Sequence, residues 1–239
     1  MSSPSPLRRV LAASLMAVAL LGSLGCTLVE MVALNRRDLT EFQVVGRQLF
    51  MAYEINSRTL DQFEAVIEEH PEVETLVLTV VPGSLDDEIN VQLGKRVREL
   101  GLRTHLARGG MIASGGVDLF LAGVERTVGA GSYVGVHSWS AGLGRTGADV
   151  PRDDPQHQLY LDYYRAIDIA ESFYWFTLEA APAGEMHWMT LDEVERFDMV
   201  TAPLVDSEDP GPFAEVIQSI EEEARSRAED RPLAVDRDG

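Results

Sequence analysis

Apolar residues dominate positions 50–55, and Leu60, Phe63, Val66 and Ile67 then recur at helical spacing over 59–69. His70-Pro71 closes that run, since a residue before proline is pushed out of helical conformation. A strand followed by a helix is predicted. The pair then repeats: 75–81 is an unbroken Thr, Leu and Val run ending at Pro82-Gly83, the pattern of a buried strand, and 86–100 carries Ile89, Leu93 and Val97 on one helical face. A third round predicts a strand at 103–107, a glycine-rich loop over 109–116, a helix through Ala122 and a strand at 133–137. Regular alternation of strand and helix predicts an α/β fold built around one core.

Past His137 the rhythm changes. The charged, proline-containing stretch 149–155 has no periodicity and reads as a loop, and 156–180 reads as one long helix. Tyr160, Tyr163, Tyr164, Phe173, Tyr174, Trp175 and Phe176 lie on or near it, a series that core or subunit packing explains more simply than a substrate groove. Thr190 and Glu193 stand at capping-box spacing and predict a short helix over 190–197. The domain is bounded at 49–206. A lead segment, 27–48, precedes it, and an acidic tail, 207–239, follows, with helical pattern only over 212–227.

The amino terminus has a different composition. Arg8 and Arg9 precede an uncharged Ala/Leu/Val/Met run that closes at Gly25-Cys26, the layout of a secretory signal. Cys26 is the one cysteine, so Leu-Gly-Ser-Leu-Gly-Cys resembles a bacterial lipoprotein signal spanning 1–26, with Cys26 as the lipid-attachment site. An uncleaved anchor helix over 10–29 and an ordinary cleaved signal are the other readings. All three predict an exported protein of the cell envelope, facing the periplasm, and the first two hold it at the membrane by a lipid or an anchor helix.

Charge and composition then remove several functions. A formal charge of −19, with 20 Lys and Arg against 39 Asp and Glu, argues against a nucleic-acid partner. A single cysteine excludes an internal disulfide, and five scattered histidines give no metal-ligating cluster. Gly109, Gly110, Gly115 and Gly116 are not followed by the lysine of a phosphate loop, so neither metal nor cofactor is predicted.

The chemistry concentrates in 110–139. A turn of small residues ends at Ser114, just before a helix, where free backbone N–H groups favour negative charge developing nearby. Ser at such a place is commonly only a helix cap. His137, 23 positions on in Gly-Ser-Tyr-Val-Gly-Val-His-Ser-Trp, adds a base, although a strand histidine alone is more often structural.

Together, the sequence Ala-Ser114, a short helix ending Leu-Ala-Gly123, Arg126 and Val-Gly-Val-His137 resembles the nucleophile helix and base strand of the Clp protease proteolytic subunit, within the crotonase superfamily. The resemblance spans about 50–205 and is closest to exported Clp-like serine peptidases with Gly-Val-His-Ser at this place. It implies a superhelix of repeated ββα units with a C-terminal helical extension, Ser114 as nucleophile and His137 as base. Val-Val-Pro-Gly83-Ser84 resembles the family's oxyanion loop, so Gly83 or Ser84 and Gly115 would supply the oxyanion N–H groups. A peptide or protein substrate and a homo-oligomer are likewise implied.

The resemblance breaks at the acid. Alignment on the turn before Thr190 puts Met186 where the family has a carboxylate, leaving Glu185, a loop aspartate (Asp149, Asp153 or Asp154) or no acid at all. A Ser–Lys dyad is set aside because the only lysine, Lys95, follows the oxyanion loop instead of lying in the matching region. Asp118, on the Ser114 face of its helix, is expected to pair with an arginine, and His187 to be structural. The function predicted is an envelope serine hydrolase, most plausibly a peptidase. The alternatives are a pseudoenzyme acting as a binding or scaffolding module, and crotonase-type acyl-CoA chemistry, which suits an exported chain poorly.

Overall fold

The computed structural model describes residues 37–142, 144–202 and 211–227, all but Arg37 within one compact unit, Asp38–Gly239. Cys26 and the signal-like run lie outside the described residues, and among those described no helix is long and apolar enough to cross a membrane.

The chain opens with an antiparallel pair, β1 (Glu41–Val45) and β2 (Gln48–Ala52), turning at Gly46 with φ 59°. β1 falls within the stretch read as a lead segment; only Phe42 and Val44 face inward from it, so its apolar signal is thin. Helix α1 (Thr59–Glu69), strand β3 (Thr75–Val81) and helix α2 (Asp87–Glu99) follow the predicted alternation. Asp86 caps α2 by accepting from the Ile89 N–H at 3.2 Å.

Strand β4 (Arg103–Ala113) runs through much of the predicted glycine-rich loop. Gly109, at φ 67°, absorbs a bulge, after which Met111 and Ile112 resume pairing with Val80 and Val81 of β3. The bulge divides β4 between two neighbours. Its first half pairs with β5 (Arg126–Val128) and its last residues with β6 (Tyr133–Val136), all parallel. A separate antiparallel pair, β7 (Ser140–Gly142) and β8 (Arg145–Thr146), comes next, and then the short β9 (His187–Trp188), antiparallel to β6. Among the described residues the main sheet runs β1-β2-β3-β4-β6-β9, with β5 beside β4.

Side chains alternate faces along these strands, as the pleat requires. Leu49, Met51, Leu76 and Leu78 join the main core under the helices, whereas Phe50, Ala52 and Val77 form a second cluster on the opposite face. That second face is covered by Phe213 and by Val216 and Ile217 of the C-terminal helix, Ala214–Arg227. The repeated strand–helix units and the C-terminal helical extension are those expected for the α/β class.

The predicted long helix over 156–180 is two helices. α4 (Gln158–Ala166) and α5 (Glu171–Ala180) are separated by a break in which Asp168 takes φ 59°. The break folds α5 back so that Tyr164 meets Phe173 at 5.8 Å and Tyr174 at 6.0 Å between ring centroids, burying aromatics that one straight helix would scatter. Beyond it, α6 (Leu191–Arg196) carries the predicted Thr190–Glu193 capping box.

Candidate active site

Ser114 sits between the end of β4 and helix α3 (Gly115–Leu121), at φ 51° and ψ −124°. A non-glycine residue there stores about 1–3 kcal/mol of strain, and the chain around it is built to hold it. Its N–H donates to the Gly135 carbonyl of β6 at 3.0 Å, and a methyl group added at Gly116 would lie 2.3 Å from the Val81 carbonyl oxygen. Glycine at 116 therefore lets α3 press against β3. Although Ser114 is the N-cap of α3, its hydroxyl makes no cap bond and no hydrogen bond to any other described residue. The simple capping explanation fails.

The oxyanion loop closes on the same point. A Cβ built at Gly83 would lie 3.5 Å from Ser114 Cβ, and one at Gly115 would lie 2.5 Å from Ser84 Oγ. Ser84 turns its hydroxyl away, donating to Asp87 Oδ1 at 2.6 Å. The N–H groups of Gly83, Ser84 and Gly115 donate to no described protein group, and Gly115 is the first residue of a helix, where none is available. Asn90 anchors the far side of Gly115 by donating from Nδ2 to its carbonyl at 2.9 Å. Paired glycines and free donors beside an unused hydroxyl make a pocket for a developing anion.

His137 follows β6 and shares with Ser114 the wall of a cavity of about 170 Å³. Its Nδ1 is 2.8 Å from the Ser138 carbonyl oxygen, which can only accept, so Nδ1 carries the proton and Nε2 keeps its lone pair. A base is thus presented in the tautomer that a triad acid normally secures. Ser114 Oγ and His137 share the cavity without a hydrogen bond between them.

None of the expected carboxylates reaches His137. Glu185 is exposed, with its backbone N–H turned to Pro182 and its carboxylate bonded to no described group. Asp149 is occupied in a capping box with Thr146, and Asp154 caps Gln156 at 2.9 Å. β6 and β9 pair Val136 with His187 and Gly135 with Trp188, so continuing that register sets Met186 opposite His137. The thioether folds over Gly135, where an added Cβ would lie 2.7 Å from its sulfur. His187 bonds Glu193 at 3.0 Å and has a structural role.

Asp118 departs from expectation. No arginine pairs with it; the Tyr164 hydroxyl donates to its Oδ1 at 2.5 Å, and Tyr163 donates to its backbone carbonyl at 2.7 Å. Burial, offset in part by the Tyr164 donor and reinforced by the Asp87 charge, raises its carboxyl from 3.8 to about 7. Asp87 itself accepts from Ser84 and, at 2.6 Å, from Tyr160. Burial also raises the Tyr160 and Tyr164 hydroxyls, and that of Tyr174 to about 12, so these groups act as neutral donors.

Tyr160, Tyr164 and Tyr174, which sequence reasoning assigned to packing, line the cavity together with Trp139. Trp139 donates from Nε1 to the Tyr174 oxygen at 2.9 Å, and that hydroxyl lies 2.6 Å from Nδ1 of the buried His157. Arg126, part of the recognised motif, is structural: it donates to the carbonyls of Gly123, Asp198 and Met199. Among the described residues no group of three or more His, Cys, Asp or Glu could hold a metal ion.

No family model and no curated protein matches the chain. Solved structures do. It is similar to a membrane-bound stomatin-specific protease in complex with a substrate peptide (TM-score 0.46, 14% identity, 67% of this chain and 74% of that one). It is similar to the ClpP protease catalytic domain from Plasmodium falciparum (0.48, 12%, 70% and 89%). A methylmalonyl-CoA decarboxylase is also similar (0.47, 10%, 84% and 85%). These similar structures are Clp-protease-like and crotonase-fold proteins, and the likeness is one of fold alone.

Proposed function

We propose that the protein is a serine hydrolase acting on peptide or protein carbonyls. Ser114 Oγ attacks the carbonyl carbon and gives its proton to His137 Nε2; the oxyanion is held by the N–H of Gly115 and that of Ser84 or Gly83. The protonated imidazole then hands that proton to the leaving amine, and water, activated by the same nitrogen, releases the acyl group. One observation carries this reading: the Ser114 hydroxyl is held at a strained turn beside unpaired N–H donors and caps nothing. The Ser–His bond is open here, and apo sites of this kind often close only around substrate. With no acid among the described residues behind His137, turnover is reduced relative to a complete triad, by at most on the order of 10⁴. The signal-like run before Cys26 supports a reaction in the cell envelope, with the chain exported and held at the membrane through Cys26 or that run, and the family resemblance supports assembly as a homo-oligomer.

The second reading, a binding module that has lost catalysis, is favoured by the open dyad and by Met186 opposite His137. Fluorophosphonate labelling of the full chain in detergent separates the two. Labelling of the wild type that is lost in Ser114→Ala, reduced in His137→Ala and increased from pH 6 to 9 supports the hydrolase. Labelling that is absent, or indifferent to Ser114, supports the binding module.

A further inference from the structure

We propose that the cavity beside Ser114 receives a basic side chain, the guanidinium or ammonium of an arginine or lysine, with Asp118 as the residue that selects it. The inference rests on the hydrolase reading and names the substrate class of that site.

The cavity lining includes two carboxylates, Asp87 and Asp118, and neither lysine nor arginine. Their situations differ. Both oxygens of Asp87 are taken, by Ser84 and Tyr160, so it contributes negative potential more than a free ligand atom. Asp118 has only Oδ1 in use, through Tyr164, and Oδ2 accepts no hydrogen bond. A half-buried carboxylate with one oxygen open to the cavity offers a ligand atom that a bound cation can pair with.

Position and shape agree with charge. Asp118 is four residues after Ser114, about 6 Å along the helix axis at 1.5 Å per residue, so a side chain entering beside the nucleophile meets its carboxylate one turn further in. Above it, the rings of Tyr160 and Tyr174 stack 5.6 Å apart at 18°, and Trp139 is bonded to the Tyr174 oxygen. Flat aromatic faces suit the apolar stem and planar head of arginine. An acidic side chain would meet two like charges, and an apolar one would leave the open oxygen of Asp118 without a partner in the filled cavity.

The test is binding without turnover. N-acetyl-arginine methylamide and N-acetyl-leucine methylamide are titrated calorimetrically into the full chain in detergent, as wild type, Asp118→Asn and Asp118→Glu. The wild type is expected to prefer the arginine ligand at least about tenfold, with that ratio falling about tenfold in Asp118→Asn and partly kept in Asp118→Glu. A wild-type ratio at or below one, or a ratio unmoved by Asp118→Asn, overturns the proposal. Ser114-dependent fluorophosphonate labelling without arginine preference overturns the proposal and leaves the hydrolase standing. Arginine preference without such labelling keeps the pocket and removes the hydrolase.

Discussion

Replacing Asp118 by asparagine should stabilise the protein, and more so as pH rises. The wild-type carboxyl titrates near 7 when folded and near 3.8 when unfolded, because burial and the Asp87 charge oppose its ionisation more than the Tyr164 donor favours it. The folded state therefore holds this proton more tightly, so stability is lost as pH climbs from about 4 to about 7 and the loss is complete above that. With those two pKa values the linkage relation gives a penalty of about 2 kcal/mol at pH 5 and about 4 kcal/mol at pH 8. Asparagine keeps an acceptor for Tyr164 and carries no charge to bury. The groups facing it, Asp87, Tyr160, Tyr163, Tyr164 and Tyr174, are left in place. Urea unfolding of wild type and Asp118→Asn at pH 5 and pH 8 should show the variant's advantage growing by about 2–3 kcal/mol, or roughly 5–10 °C in melting temperature for a domain of this size. An advantage that is the same at both pH values, or that shrinks at pH 8, refutes the assignment of a raised Asp118.

Two further outcomes test the turn and the missing acid. Ser114→Gly should abolish fluorophosphonate labelling yet unfold at higher urea than Ser114→Ala, by about 1 kcal/mol, because glycine accepts φ 51° without strain; equal stability of the two variants would show that the turn stores nothing. Met186→Asp places a carboxylate opposite His137 and should raise Ser114-dependent labelling at least about tenfold, within the roughly 10⁴ that a triad acid supplies; a folded variant with unchanged labelling would show that the Ser138 carbonyl already does what the acid could do.

Much of the scaffold was legible because its strands and helices carry their pattern cleanly: β3 is an unbroken run of Thr, Leu and Val, and α2 repeats its apolar face from a capping aspartate. The misread parts share a cause. The extension of β4 to Ala113 depends on Gly109 absorbing a bulge, and the break between α4 and α5 on Asp168 adopting a left-handed conformation; neither shows in hydrophobic pattern. Gly94 is a third case, since only contact explains it: an added Cβ would lie 2.1 Å from the Tyr163 hydroxyl, which passes over α2 on its way to the Asp118 carbonyl. That Ser114, His137 and the glycines of both loops come together was legible because a motif holds them at fixed spacing. The tyrosines were not, because an aromatic series on a helix reads as core until the fold shows which rings border a cavity.

The same local chemistry explains why the absence of an acid at 186 does not by itself settle for inactivity. An acid behind a catalytic histidine fixes the tautomer and stabilises the imidazolium. Here the Ser138 carbonyl fixes the tautomer from one residue away, while the charge role is left to whatever negative potential the cavity provides. Asp87 and Asp118 supply that potential, on the wall the imidazole shares. A neutral substrate would leave these charges free to favour the imidazolium; a basic one would neutralise part of them while being drawn into place by the rest. Binding and proton transfer thus compete for the same carboxylates, so removing Asp118 should weaken the arginine ligand and slow Ser114 labelling together, a coupling that a merely structural Asp118 would not produce.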